Sequence, residues 1–270
     1  MVTASIVTYQ HTLEEISPLV QSLLKNNVAR LYIIDNSPKD TLHAVAEMSD
    51  KVMYIHNKNT GYGSAHNIAL REAIKLQADY HVVINPDIRI DQDAIRKLED
   101  YMDARPDIGL VMPNIVYPNG EQQYLCKLLP TPTDLFLRRF LPKNFRKRKR
   151  EQFELRFTGY DREMDIPFLS GCFMFLRISV LREVGLFDER YFMYGEDIDL
   201  SRRIHAHSRT VFYPGITIVH AHEAASYKSK KMLFIHVRNI VRYFNKWGWF
   251  FDRERKMVNK KTLDTLRMKQ

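Results

Sequence analysis

Cysteine is scarce in this chain, with two among 270 residues, Cys126 and Cys172. That excludes a disulfide-stapled scaffold, and no Cys/His spacing matches a zinc site. Both thiols are expected to be free, in a reducing compartment. Long apolar runs are also missing: the longest, such as Cys172–Leu176, fall far short of the roughly 20 residues a spanning helix needs. The opening MVTASIVTY carries no basic stretch ahead of an apolar one, so no secretory signal is expected. There is no internal repeat and no low-complexity tract. What is present is 45% hydrophobic and 27% charged, enough for a packed core in one large domain or two small ones. The expectation is a soluble or peripheral protein.

The charge is unevenly placed. The chain carries 41 Lys and Arg against 32 Asp and Glu, a net of +9. Arg138–Arg150 holds eight basic residues and no acid, and Lys228–Gln270 holds thirteen basic residues against three acids. The remainder is therefore acidic, with a net of −9. A nucleic-acid binder usually spreads its basic residues over the reading domain. Two local patches on an acidic body point instead to an anionic surface such as a membrane leaflet, or to a solvated loop and tail.

Short β-branched runs alternate with helical periodicity over the first 112 residues. Strands are expected at Thr3–Tyr9, Leu31–Ile34, Val52–Ile55, Val82–Ile84 and Ile108–Met112. Helices are expected over Leu13–Leu24 and Gly63–Leu76, with another capped by Asp91 and running to Tyr101. This alternation predicts βαβ units and a mostly parallel sheet, an α/β fold. Periodicity fades over about 114–165, a basic insertion. It returns at Ile166–Arg177, a helix starting at Glu196, two short strands near Val211 and Ile216, and an amphipathic helix over Lys228–Trp249.

In such sheets ligands bind beyond the carboxyl ends of the strands, so the polar residues just after each strand are the candidates. Asp35-Asn36 follows the second strand; it can accept from a base or ribose, or simply form a turn. Asn57, Asn59, Gly61, Gly63 and Asn67 form a glycine-bearing loop before a helix, which suits a phosphate. The loop is not a dinucleotide fingerprint, because His66 stands where the third glycine belongs, and no Gly-Lys-Ser/Thr of a Walker loop occurs. Asn85-Pro86-Asp87 follows the fourth strand and offers a hard oxygen to a divalent cation. Asp188, Glu189, Glu196, Asp197 and Asp199 crowd carboxylates together, which raises proton affinity and suits a general base; a helix start accounts for only one or two of them. His220 and His222 follow a late apolar strand.

The order S-I-V-T-Y, I-I-D-N-S, N-x-G-Y-G-S-A-x-N, I-N-P-D, L-S-G-C-F-M and G-x-F-D-E-x-Y-F-M-Y-x-E-D-I-D-L-x-x-R, with a late V-H, resembles family 2 glycosyltransferases. The resemblance is to the bacterial branch with rhamnosyl- and galactofuranosyltransferases, over about Thr3–Ser226. It implies a GT-A fold in a catalytic domain over 1–226, followed by a basic amphipathic helical extension over 227–270. It implies an inverting transfer from a nucleotide-diphosphate sugar, with a lean to dTDP-rhamnose, onto a hydroxyl of a cell-surface or lipid-linked glycan. Thr8 and Tyr9 would line the base pocket, Asp35 would contact base or ribose, and Asn59, Gly61 and Asn67 would shape the nucleotide floor, with Asn85 beside them. Asp87 would hold Mg²⁺ or Mn²⁺ and His220 would complete the metal site, with His222 as competitor. Asn85 departs from the family's strict D-x-D. Asp197 matches the catalytic base, with Glu196 supporting it. The basic run and Trp247-Trp249-Phe250-Phe251 are expected to dock on the cytoplasmic face of an anionic membrane, unless that helix packs on the body or a second subunit. The competing classes are a membrane-surface protein without catalysis and a nucleotidyltransferase; Thr8-Tyr9-Gln10-His11 lacks the phosphate loop the latter needs.

Overall fold

A computed structural model describes residues 1–91, 93–135, 143–221 and 230–268. His222, Arg138, Arg139 and the expected boundary at 226 lie outside the described residues. Strand β1 (Val2–Thr8) is rich in β-branched residues and buried along its length except at Val7, as a strand covered on both faces requires. Helix α1 (Leu13–Lys25) starts with a capping box in which Thr12 and Glu15 satisfy each other's backbone N–H groups. Then come β2 (Arg30–Asp35), β3 (Val52–His56), α2 (Tyr62–Lys75) and β4 (Tyr80–Ile84). All four strands run parallel in the order β3-β2-β1-β4.

The short β5 (Ile88–Arg89) leads to α3 (Ala94–Asp103). Asp91 does not cap this helix: Asp93 occupies the N-cap, with φ +67 and, among the described residues, no side-chain capping bond. Strand β6 (Ile108–Val116) follows, then β7 (Cys126–Lys127), the single turn α4 (Pro132–Leu135), α5 (Lys143–Phe153), β8 (Met164–Asp165), β9 (Phe168–Leu169), β10 (Phe173–Arg177), α6 (Ile178–Val184), α7 (Glu196–His207) and β11 (Arg209–His220). The two short strands expected near Val211 and Ile216 are one strand. Its register against β6 breaks between Tyr213 and Thr217, where Pro214 has no N–H to give the ladder. That local break makes one strand look like two.

The sheet order is β3-β2-β1-β4-β10-β6-β11-β5, with β8 on β11. Strand β10 runs antiparallel between β4 and β6, and β5 antiparallel to β11. This is the mostly parallel, helix-flanked α/β sheet of the GT-A fold. Both cysteines are free and buried. In the core, Ser5 Oγ sits 2.7 Å from both His66 Nδ1 and His81 Nε2. Burial holds both imidazoles neutral, pushing His81 down to about 3. His66 is thus a core residue, and its ring packs edge-on against Tyr62.

Helices α8 (Lys230–Trp247) and α9 (Arg253–Met268) lie against the body. Ile240, Tyr243 and Phe244 pack with Leu129, Phe168, Tyr191 and Ile198, and Trp247 and Trp249 flank them. Arg202 of α7 is 2% exposed and makes a two-pronged pair with Asp252, at 2.7 and 2.9 Å. Trp247 donates its indole N–H to Asp199. Of the four aromatics expected to face a membrane, only Phe250 (66% exposed) and Phe251 (94%) turn outward.

Candidate active site

The parallel register sends Thr8, Asp35, His56 and Ile84 to one edge of the sheet. Because β10 runs the other way, its first residue, Phe173, pairs with Ile84. Gly171 and Cys172 therefore reach the same edge as the ends of β4 and β11. Residues 85–87, 171–172 and 220, far apart in sequence, converge there for topological reasons.

Asp87 and His220 meet. Strand β5 pairs with the end of β11, with His220 opposite Ile88, and this sets His220 Nε2 3.2 Å from Asp87 Oδ1. The other ring nitrogen, Nδ1, lies 2.9 Å from Gln123 Oε1. Gln123 also donates to the His220 carbonyl at 2.7 Å. Burial alone would push the His220 imidazole down; the Asp87 carboxylate and the Cys172 thiol beside it outweigh that and hold it at about 10. The carboxylate oxygen suits Mn²⁺ or Mg²⁺, the imidazole nitrogen adds a ligand better matched to the transition metal, and the Gln123 oxygen on Nδ1 fixes the ring as an outer acceptor does. Among the described residues no group of three or more His, Cys, Asp or Glu is gathered for a metal. Gln123 lies in the stretch where periodicity fades, so no local pattern announces it.

The five crowded carboxylates separate by partner. Asp199 is fully buried and bound by Arg203, Lys246 and Trp247 at 2.9, 2.6 and 2.8 Å. Asp188 takes Arg190 and Lys246, and the Arg190 hydrogen bonds hold it well below the usual carboxylate range. Glu189 pairs with Arg71 and Asn67. These three hold helices and loops in place. Among the described residues Asp197 has backbone partners only: Gly171 N–H donates to Oδ2 at 3.1 Å and Ile198 N–H to Oδ1 at 2.9 Å. Glu196 is 4% exposed and, among the described residues, its Oε2 has no hydrogen-bond partner. Burial, reinforced by the Asp197 charge, pushes its carboxyl up to about 8.

Glu196 therefore carries a stability signature. An acid whose folded value lies above its ordinary 4.5 stays protonated in the fold while the unfolded chain ionises, so stability falls as pH rises from about 4.5 to about 8. Glu196→Gln should flatten that decline. Urea midpoints at several pH values would check it, and parallel profiles for the two proteins would refute it.

On the other side of the edge lies a cleft of about 740 Å³. Tyr9, Asn36–Pro38 and His56–Asn59 line one side, and Phe192 and the α8 residues Phe234, Arg238 and Asn239 line the other. Tyr9 and Asn59 both line this cleft. Thr8, Asp35 and Asn67 are buried and do not line the cleft. Asp35 Oδ1 accepts from Thr8 Oγ1 (3.1 Å), Ser37 N (3.1 Å) and Ser37 Oγ (2.5 Å), and Oδ2 accepts from Tyr54 (3.2 Å). The Asp35 carboxylate is occupied in shaping the turn, and Asn36 and Ser37 present that turn to the cleft. Asn67 clamps the Phe187–Glu189 loop through Phe187 N, Phe187 O and Glu189. Gly61 (φ +116) lies so close to Phe192 that a Cβ there would stand 2.3 Å from its carbonyl oxygen. The share of α8 in the cleft was not anticipated. Its one sequence signal is Asn239 on an apolar face, which donates to Met193 O at 2.8 Å.

Comparison with known proteins identifies the family. Residues 3–185 match the family described as glycosyl transferase family 2. The chain is 29% identical over 225 residues to N-acetylglucosaminyl-diphospho-decaprenol L-rhamnosyltransferase of Mycobacterium tuberculosis, covering 76% of this chain and 70% of that one. It is 26% identical over 255 residues to rhamnosyltransferase WbbL of Escherichia coli, covering 90% and 92%. The crystal structure of GalNAc-T7 with UDP, GalNAc and Mn²⁺ superposes with a TM-score of 0.61 at 15% identity. That match covers 89% of this chain and 47% of the other, so this chain spans about half the length of that protein. With a family match over most of its length and a GT-A sheet beneath it, the chain belongs to glycosyl transferase family 2 and is a glycosyltransferase.

Proposed function

We propose that this enzyme moves a sugar from a nucleotide-diphosphate donor to a hydroxyl of a cell-surface or lipid-linked glycan, inverting the anomeric centre. The observation that carries the reading is the meeting of Asp87 with His220 beside the backbone-anchored Asp197. The nucleoside occupies the cleft between Tyr9 and Asn59 on one side and α8 on the other. Asp87 and His220 would hold a divalent cation, Mg²⁺ or Mn²⁺, which when bound would neutralise charge on the departing diphosphate. Asp197 accepts the proton of the acceptor hydroxyl as its oxygen bonds to the anomeric carbon and the bond from that carbon to the diphosphate breaks. One carboxylate suffices, because the diphosphate leaves without a protein acid. Neutral Glu196 spares Asp197 a second negative neighbour. The rhamnosyltransferases among the relatives support dTDP-rhamnose as donor.

A panel of nucleotide sugars, read for binding with and without Mn²⁺ or Mg²⁺, tests the reading; no cation-dependent binding to any of them would sink it. Asp87→Ala should weaken cation-dependent donor binding by about tenfold or more and lower transfer with it. We place the enzyme on the cytoplasmic face of an anionic membrane, held by the basic segments with Phe250 and Phe251. Failure to float with anionic vesicles would remove that placement and leave the catalytic reading intact.

A further inference from the structure

Tyr62 reaches three separate segments of the site. Its N–H donates to Phe192 O at 2.8 Å, on the cleft wall. Its hydroxyl lies 2.9 Å from Asn85 Oδ1 and 2.7 Å from Gly171 O. Gly171 in turn donates its N–H to Asp197 Oδ2 at 3.1 Å. A Cβ at Gly171 would stand 2.9 Å from that of Asp197, so the two segments touch without slack. Asn85 stands two residues before Asp87, and its N–H donates to Cys172 O at 2.9 Å. One phenol thus spans the loop that carries Asp87 and the loop that anchors Asp197. The ring is itself fixed from behind: it meets His66 edge-on at a centroid distance of 4.5 Å, and Ser5 holds His66 at 2.7 Å.

Backbone bonds reach both loops, from Asn85 N–H to Cys172 O and from Ala221 N–H to Asp87 O, and the Tyr62 hydroxyl adds a side-chain tie where the regular strands end. We propose that the Tyr62 hydroxyl is a positioning group that ties the Asn85-Pro86-Asp87 loop to the Gly171–Asp197 contact, so that the diphosphate side and the base side of the reaction keep one spacing. The inference rests on the reaction proposed above for its consequence, not for its geometry. It also gives a reason for Asn at position 85: that side chain serves Tyr62, while Asp87 faces His220. A reaction between two bound partners is sensitive to such spacing, since a misplacement of about 1 Å can cost on the order of 10²-fold in rate.

Tyr62→Phe keeps the ring against His66 and removes only the hydroxyl. Two readouts test it. Hydrogen exchange should quicken by about fivefold in peptides over 85–88 and 170–173, the effect of losing one net hydrogen bond, with β1 to β3 unchanged. With the donor found by the nucleotide-sugar panel, kcat should fall by about 10- to 100-fold while the donor KM stays within about threefold. Unchanged exchange in both segments, or a rise spread over the whole chain, overturns the proposal. So does an unchanged kcat, or a kcat and KM that worsen together with the thermal midpoint. A wild-type enzyme that transfers no sugar would count against the proposed reaction, and the exchange contrast would still decide whether the tie exists.

Discussion

Asp197→Asn is expected to lower kcat by about 10²- to 10⁴-fold, the contribution of a general base, and to leave cation-dependent donor binding within about threefold. The amide keeps the size of the carboxylate and one oxygen for the Gly171 or Ile198 N–H, which now donate to Oδ2 and Oδ1. What it loses is the negative charge and with it the capacity to accept a proton. Donor binding should survive because the cleft is lined by residues of β1, the turns after β2 and β3, and α8, not by Asp197. Steady-state kinetics beside calorimetric donor binding would separate the two effects. Turnover close to wild type would show that another group takes the proton.

Asp252→Ala should cost about 3–5 kcal/mol of stability, the usual effect of removing one partner from a buried pair. Arg202 is 2% and Asp252 3% exposed, and Asp252 also accepts from the backbone N–H of Arg255. Glu254 at 2.7 Å would remain, but its side chain is 42% exposed and replaces only part of the lost charge. The expected result is a large drop in the denaturant midpoint with little change in slope. Because α8 ends where this pair holds the chain, and Arg238 and Asn239 of α8 line the cleft, donor affinity should weaken in the same variant. A loss below about 1 kcal/mol would mean that the C-terminal helices are held by their apolar faces alone.

The relation between sequence and site is clearest residue by residue. Asp87 and His220 were both visible as polar residues just after apolar runs, because strand ends in an α/β sheet are where ligands bind. Local pattern does not pair them and only the family resemblance did, since the pairing depends on β5 lying antiparallel to the end of β11 across 133 residues. The five acids around Asp197 looked alike in sequence. Lys246, Trp247, Arg190 and Arg71 distinguish them, and three of those four come from other elements.

Local chemistry determined the alternation of strand and helix, the α/β class, the absence of a disulfide framework and the residues that wait at the strand ends. It did so because burial and hydrogen bonding impose periods of two and 3.6 residues that any stretch of chain displays by itself. Only the tertiary structure decided that Asp35 and Asn67 serve the turns behind the cleft, that Tyr62 bonds Gly171 beside Asp197, and that a basic amphipathic helix lines the cleft. Those outcomes depend on which distant groups spend a side chain's hydrogen bonds and how deeply it is buried, and both are set by the packing of the whole chain.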